Sequence, residues 1–283
     1  MAANVLTQAK QDLIASLVQR ELKETASLIS CLTDHSNLAV KGSKQVSIPK
    51  MTSFTVGDRA FGAQGAESAA LTVDVDTIAL DKNKYILFGY DAADEMQSTI
   101  EYKIQAITRA AAAHGRQIND DILAELELVA GLSVNGAAPA DITASNILAM
   151  REFLMANFAN MASVKFVIAA DQERAMLELP EFSRYDYRGV GPSPIVNGSV
   201  GSVYGIPVIL NQQIKAQQAF MIAPEGCGFA FQRSPAVGED TDLRYGVNGM
   251  QVAVDCTYGV GGLELGEGSA AAGKSPLVAM LTD

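Results

Sequence analysis

Apolar positions between residues 91 and 130 recur every three or four residues, at Met96, Ile100, Ile104, Ile107, Ala111, Ile118, Ile122 and Leu126. His114 fills the one gap in the stripe. Such spacing lines one face of a helix. Asp91 suits the N-cap, and Asp94 and Glu95 suit the positive end of the helix dipole. The opposite face is charged, with Glu101, Lys103, Arg109, Arg116, Asp120 and Glu125. At ~1.5 Å per residue the helix would span about 55 Å. That length predicts a spine along which other elements lie, with Gly115 the place for a bend or break.

Before the spine the period is two. Val46, Ile48 and Met51 alternate within Lys44 to Val56, and alternation resumes at Leu71, Val73 and Val75 with Asp74 and Asp76 between them. Gly57 to Ser68, rich in Gly and small residues, separates these runs, and a further strand is expected at Lys84–Tyr90. The pattern predicts a long β-hairpin over residues 44–90 with a polar tip. Residues 4–32 predict an amphipathic helix with Leu6, Leu13, Leu17, Leu22 and Ile29 on its apolar side. It packs either on its own domain or, as an arm, on something else.

After the spine, Gly131 to Asp141 reads as a small-residue linker, with Asn135-Gly136 and Pro139. A helix over Ile142–Asn160, a buried strand over Ser163–Ala170 and a short helix over Asp171–Leu179 follow. Residues 180–203 read as irregular. Strands are predicted at Tyr204–Leu210, Ala219–Ala223, Phe229–Arg233, Met250–Tyr258 and Leu277–Thr282. The class is α+β.

Composition narrows the function. Of 283 residues 48% are hydrophobic and 19% charged, which excludes disorder as the main state. Thirty-two acidic against 21 basic residues give a net charge of −11, the wrong sign for gripping phosphates over a wide surface. No apolar run reaches the ~18 residues of a membrane helix. Met1 to Leu6 lacks the basic start of a secretory signal. Cys31, Cys227 and Cys256 are far apart, as in a reducing compartment, and His35 and His114 are the only histidines.

One motif is formally sharp. Gly268 to Ser275 fits the GxxxxGK[ST] phosphate loop, with Lys274 as its lysine. Such a loop must open a helix, whose N-terminal amides hold the phosphates. Here Pro276 and an apolar run follow at once, so a flexible loop is the simpler reading and a nucleotide-binding enzyme the remote one. Ser193 and Ser199 have no neighbouring histidine, and the Asn197-Gly198-Ser199 sequon matters only on secretion. Glu239, Asp240 and Asp242 read as a solvated loop, and Cys256 as a buried strand residue. No catalytic set, cofactor or metal is expected.

The order of elements then resembles the major capsid proteins of tailed bacteriophages, the Hong Kong 97 capsid fold family. Leu80 to Asp91 with Asp94 resembles the family's strand leading into the spine. Phe166–Ala170 with Leu177 and Pro180-Glu181-Phe182 resembles its axial strand–helix step. Tyr204 to Ile209 resembles its G-x-P-V strand, and Arg244 to Val247 with Met250–Tyr258 its returning strand. The resemblance implies an N-terminal arm (1–43), an extended hairpin loop (44–90) and a peripheral domain built on the spine (91–140). An axial domain (141–242), a returning peripheral strand (243–262) and a C-terminal axial segment (263–283) complete it.

It further implies a structural, non-enzymatic protein that assembles with itself, as hexamers and pentamers, into an icosahedral shell around phage DNA. The DNA would be touched only non-specifically. A separate scaffolding protein, a portal and decoration proteins are its further implied partners. The virion capsid, and the host cytoplasm during assembly, are its implied locations, with no membrane. Encapsulins, shells that hold protein cargo, share the fold and are the near alternative. Arg59, Phe61 and Glu67 in the hairpin tip, and Leu13 and Leu17 in the arm, are the expected intersubunit contacts.

Overall fold

The computed structural model describes residues 16, 18, 20–22, 27–51, 58, 61, 73–90, 102–135, 142–157, 159–179, 201–241, 244, 250–264 and 273–282. Its centre is helix α1, Tyr102–Val129. Ala106 and Ala110 to Ala113 favour helix strongly, and the chain runs through Gly115 without a break. The predicted N-terminal turns, residues 91–101, lie outside the described residues. At the other end the Lys274 ammonium donates to the Leu128 carbonyl, one of the acceptors that a helix end leaves without an internal partner.

Two sheets pack on this helix. Strands β1 (Thr33–Asp34), β4 (Lys82–Tyr90), β10 (Cys227–Thr241) and β11 (Met250–Gly262) form one, in the order β1-β10-β11-β4. The other holds β5 (Ala130–Asn135), β6 (Lys165–Ile168), β7 (Ser202–Val203), β8 (Ile206–Leu210), β9 (Ala219–Ile222) and β12 (Ser275–Thr282). Its order is β5-β12-β9-β6-β8-β7. The stripe residues Ile118, Ile122 and Leu126 share one core with Phe229, Cys256 and Tyr258 of the first sheet and Phe220, Ile222 and Val278 of the second. A second core covers the six-stranded sheet's far face. There Phe166, Met221 and Leu281 meet Met150 and Leu154 of α2 (Ala144–Ala156) and Met176 of α3 (Ala170–Glu178). With helices on both faces, a central strand has no solvent side, which is why β9 is buried at all four residues.

Three short-range expectations need correction. The hairpin consists of β2 (Gln45–Met51) and β3 (Val73–Ala79), paired antiparallel from Gln45–Ala79 to Met51–Val73. The Lys84–Tyr90 strand is not part of it: β4 turns away after Leu80 and pairs along its whole length with β11. Period two alone cannot say which partner a strand takes. The Gly131–Asp141 linker also begins as strand β5, parallel to β12. Gly131 is there for close packing. A Cβ on Gly131 would lie 2.3 Å from the Ser275 carbonyl oxygen. Glu239 and Asp240, expected in a loop, extend β10 and pair with Val252 and Gln251. Pro235, which would argue against so long a strand, falls where the β10–β11 register shifts between Arg233 and Ala236.

Candidate functional site

No cluster of three or more His, Cys, Asp or Glu side chains able to hold a metal occurs among the described residues. Several groups that could do chemistry join elements instead. His114 is buried on the α1 stripe, with Nε2 3.1 Å from the Val254 carbonyl oxygen and Nδ1 3.6 Å from Cys256 Sγ. Burial, with the Asp255 carboxylate adding to it, pushes the Cys256 thiol up to about 11, so it is not a thiolate at neutral pH. Burial likewise raises Cys227 and Cys31. The Tyr258 hydroxyl donates to Asp121 Oδ2 at 2.6 Å, tying β11 to α1. Burial and that hydrogen bond raise its pKa well above the usual phenol.

Lys274 does not open a phosphate site. Ser275 starts strand β12 instead of a helix, its side chain is buried, and the Lys274 ammonium is turned onto Leu128. Among the described residues, the chain at Lys274 and Ser275 therefore presents no helix N-terminus to an anion.

What remains is the geometry of the hairpin. Its root is held by an apolar cluster of Val46, Ile48, Ile78 and Leu80 against Ala230 and Leu263. Gly259 and Gly261 of β11 let β3 pass close by: a Cβ on Gly259 would lie 2.1 Å from the Ala79 carbonyl oxygen. An ionic network adds to this. Lys50 on β2 lies 3.0 Å from Asp76 and 3.6 Å from Asp74 on β3, and 3.1 Å from Glu264 beyond β11. The Glu264 amide donates to Asp76 at 2.8 Å. Burial would lower the Lys50 ammonium, but hydrogen bonds to Asp76 and Glu264 outweigh it and hold the pKa above the ordinary lysine value. A cavity of about 470 Å³ lies beside the network, reached by Asp76, Lys82, Glu125 and Lys274.

Away from the root the hairpin carries uncovered apolar side chains. Val73 and Val75 are half exposed, and Phe61 has no cover at all among the described residues. Arg59 and Glu67 lie outside the described residues, as do Leu13 and Leu17 of the arm. Their neighbour Val18 packs on Ile107, Ala111 and Val252, so that part of the arm rests on its own α1. The sequence reading missed Lys50. The i+2 acids Asp74 and Asp76 on the paired strand were its only signal. Tyr85 and Leu87, exposed on β4, were also missed, because alternation shows two faces without showing which is covered.

A family model described as phage capsid protein matches residues 24–241. No curated protein matches the chain. Among solved structures, one of Mycobacterium phage Che8 is similar at 16% identity, with 89% of each chain covered and a TM-score of 0.70. The capsid structure of Cyanophage P-SCSP1u is similar at 12% identity, covering 89% of this chain and 86% of that one, with a TM-score of 0.70. A virus-like particle from Pyrococcus furiosus is similar at 10% identity, covering 96% and 99%, with a TM-score of 0.58. At these identities the likeness is one of fold.

Proposed function

The chain belongs to the phage capsid protein family, and on that premise we propose that its copies close into an icosahedral shell around phage genomic DNA, with the hairpin tip reaching a neighbouring copy. A structural, shell-forming role and the Hong Kong 97-type fold come with the family and its structural neighbours. The hexamers and pentamers, the arm contacts through Leu13 and Leu17, and the scaffolding, portal and decoration partners are further parts of this proposal. So are non-specific contact with the packaged DNA and assembly in the host cytoplasm.

One observation carries the proposed contact. The hairpin is a lone two-stranded ladder with Phe61, Val73 and Val75 uncovered. A two-stranded ladder is marginal in water by itself. Residues 57–70 hold Gly57, Gly62 and Gly65 and one large apolar side chain, Phe61. Ordering such a segment costs ~1–2 kcal/mol per residue, which a neighbouring surface must offset. Phe61 would anchor the contact, with Arg59 and Glu67 at its polar rim. The net charge of −11 suits a container whose contents are polyanionic, because packed DNA then does not adhere to it.

The test replaces residues 57–70 by an Asn-Gly turn and follows two quantities. The melting temperature of the free subunit should stay within ~2 °C of the parent, as for a surface change of under about 0.5 kcal/mol. The yield of shells by electron microscopy, on co-expression with the scaffolding protein, should collapse. A large drop in melting temperature, or normal shells, would refute the tip contact. The contents of purified shells, nucleic acid against protein, distinguish a genome container from a protein-cargo shell.

A further inference from the structure

β4 is an outermost strand, and among the described residues nothing pairs with its far edge. Folded proteins blunt such edges with short length, bulges, prolines or outward lysines, since an open ladder recruits other strands. β4 has none of these. It is nine residues long, Lys82–Tyr90, contains no proline and keeps an unbroken register with β11 from Tyr90–Met250 to Lys82–Tyr258. Its charges point the other way. Lys84 lies 3.7 Å from Asp121 on α1, and Lys82 lines the cavity beside Glu125. The solvent face therefore presents Asn83, Tyr85 and Leu87, with Tyr85 72% and Leu87 50% exposed. On that face Leu87 lies beside Ala253 of β11, and Ala253 beside Gly238 of β10. Only the row Leu87, Ala253, Gly238 runs inward uncharged; beside Tyr85, Asp255 of β11 pairs with Arg233 of β10.

We propose that this edge is an interface between two copies of the chain, in which β4 pairs antiparallel with β4 about a two-fold axis at Ile86. The proposal rests on the reading that the chain forms a shell, which brings copies into contact. The sequence of β4 selects a second copy because it complements itself. Directly opposed residues of antiparallel strands share a face, so odd positions must meet odd ones. Centring the pair on Ile86 uses all nine residues and sets each Tyr85 against Leu87 of the other copy. An aromatic–aliphatic cross-strand pair of this kind is stabilising. Lys84 then opposes Phe88 and Lys82 opposes Tyr90, so no lysine meets a lysine. Moving the centre to Lys84 would set two ammonium groups face to face and leave much of each strand unpaired. The contact is isologous and closes on itself, unlike the heterologous contacts that build rings.

The register gives the test. Tyr85→Cys and Leu87→Cys chains are made separately, assembled alone or as an equimolar mixture, and oxidised. Both positions are exposed and the native cysteines are buried, so the parent is the background control. The mixture should give about fivefold more disulfide-linked dimer than either variant alone, since only 85 and 87 come within bonding distance across the axis. A second variant, Leu87→Lys, should lower shell yield while the free subunit melts as the parent does. Shells that form normally while the mixture cross-links no better than its parts overturn the interface and leave the shell reading standing. Normal shell yield for Leu87→Lys overturns it equally. Failure of the parent to form any particle overturns the shell reading, and this interface with it.

Discussion

Gly259→Ala tests how the hairpin is seated. The added Cβ would stand 2.1 Å from the Ala79 carbonyl oxygen and 3.1 Å from a Leu80 methyl. The carbonyl contact falls about 1.3 Å short of van der Waals separation. The Leu80 methyl can rotate away, but a backbone oxygen cannot. β3 must therefore move off β11, and the Gly261–Ile78 contact beside it opens as well. Overpacking that forces backbone movement costs about 1–3 kcal/mol. Here the upper half of that range applies, because Ile78 and Leu80 leave their cluster together with Val46 and Ile48. For a chain of this size that is a fall of roughly 4–9 °C in melting temperature. Gly238→Ala is the control, since nothing lies within 4 Å of its added Cβ. It should fall within about 0.5 kcal/mol of the parent. Denaturant melts give the stability, and amide exchange shows whether the loss is concentrated in residues 45–51 and 73–79. A Gly259→Ala chain as stable as the Gly238→Ala control, with unchanged exchange in β2 and β3, would refute the close approach of β3 to β11.

Two further outcomes are expected. Tyr258→Phe removes the hydrogen bond to Asp121, leaving that largely buried carboxylate to Lys84 and Gln117, and should cost about 1–2 kcal/mol by denaturant midpoint; an unchanged midpoint would show that the bond contributes nothing. Burial lowers the His35 pKa below the ordinary 6.5, against an opposing pull from Asp34. The unfolded chain then binds the proton more readily, so the stability from neutral His35 is complete above pH 6.5 and declines as pH falls through the lowered folded value. His35→Gln should flatten the stability profile below pH 6.5 relative to the parent, and an identical slope in both would exclude His35 as its source.

The spine was legible because a three-and-four spacing sustained from Ile104 to Leu126 has only one regular solution, a helix with one buried face. The strand at Ser275–Thr282 was legible for a related reason: its apolar run starts at a proline and is too short for a buried helix. Pairing was not legible. Val46 and Ile48 alternate in the same way whether β2 meets β3 or β4, and only the tertiary path after Leu80 decides it. Gly131 read as linker because a residue selected for contact with a neighbouring carbonyl leaves no hydrophobic trace. Of the expected contact residues, Phe61 stands exposed as its position at a polar tip suggested. Arg59, Glu67, Leu13 and Leu17 fall outside the described residues and remain part of the proposal.

The placement of the polar side chains carries the last step. Lys50, Lys84 and Lys215 each pair with a carboxylate on another element, Lys274 holds the end of α1, and His114 and Tyr258 join α1 to β11. The thiols of Cys31, Cys227 and Cys256 are buried and raised, and hydrogen bonds to Asp76 and Glu264 raise the ammonium of Lys50. Among the apolar groups left outside, Phe61, Val73 and Val75 stand on the hairpin and Tyr85 and Leu87 on the β4 edge, while Leu128, Leu148 and Met155 are exposed on the helices. Polar groups that fix the tile's internal angles, with apolar groups at its borders, are what repeated self-contact requires, because an error in angle is multiplied around a closed shell.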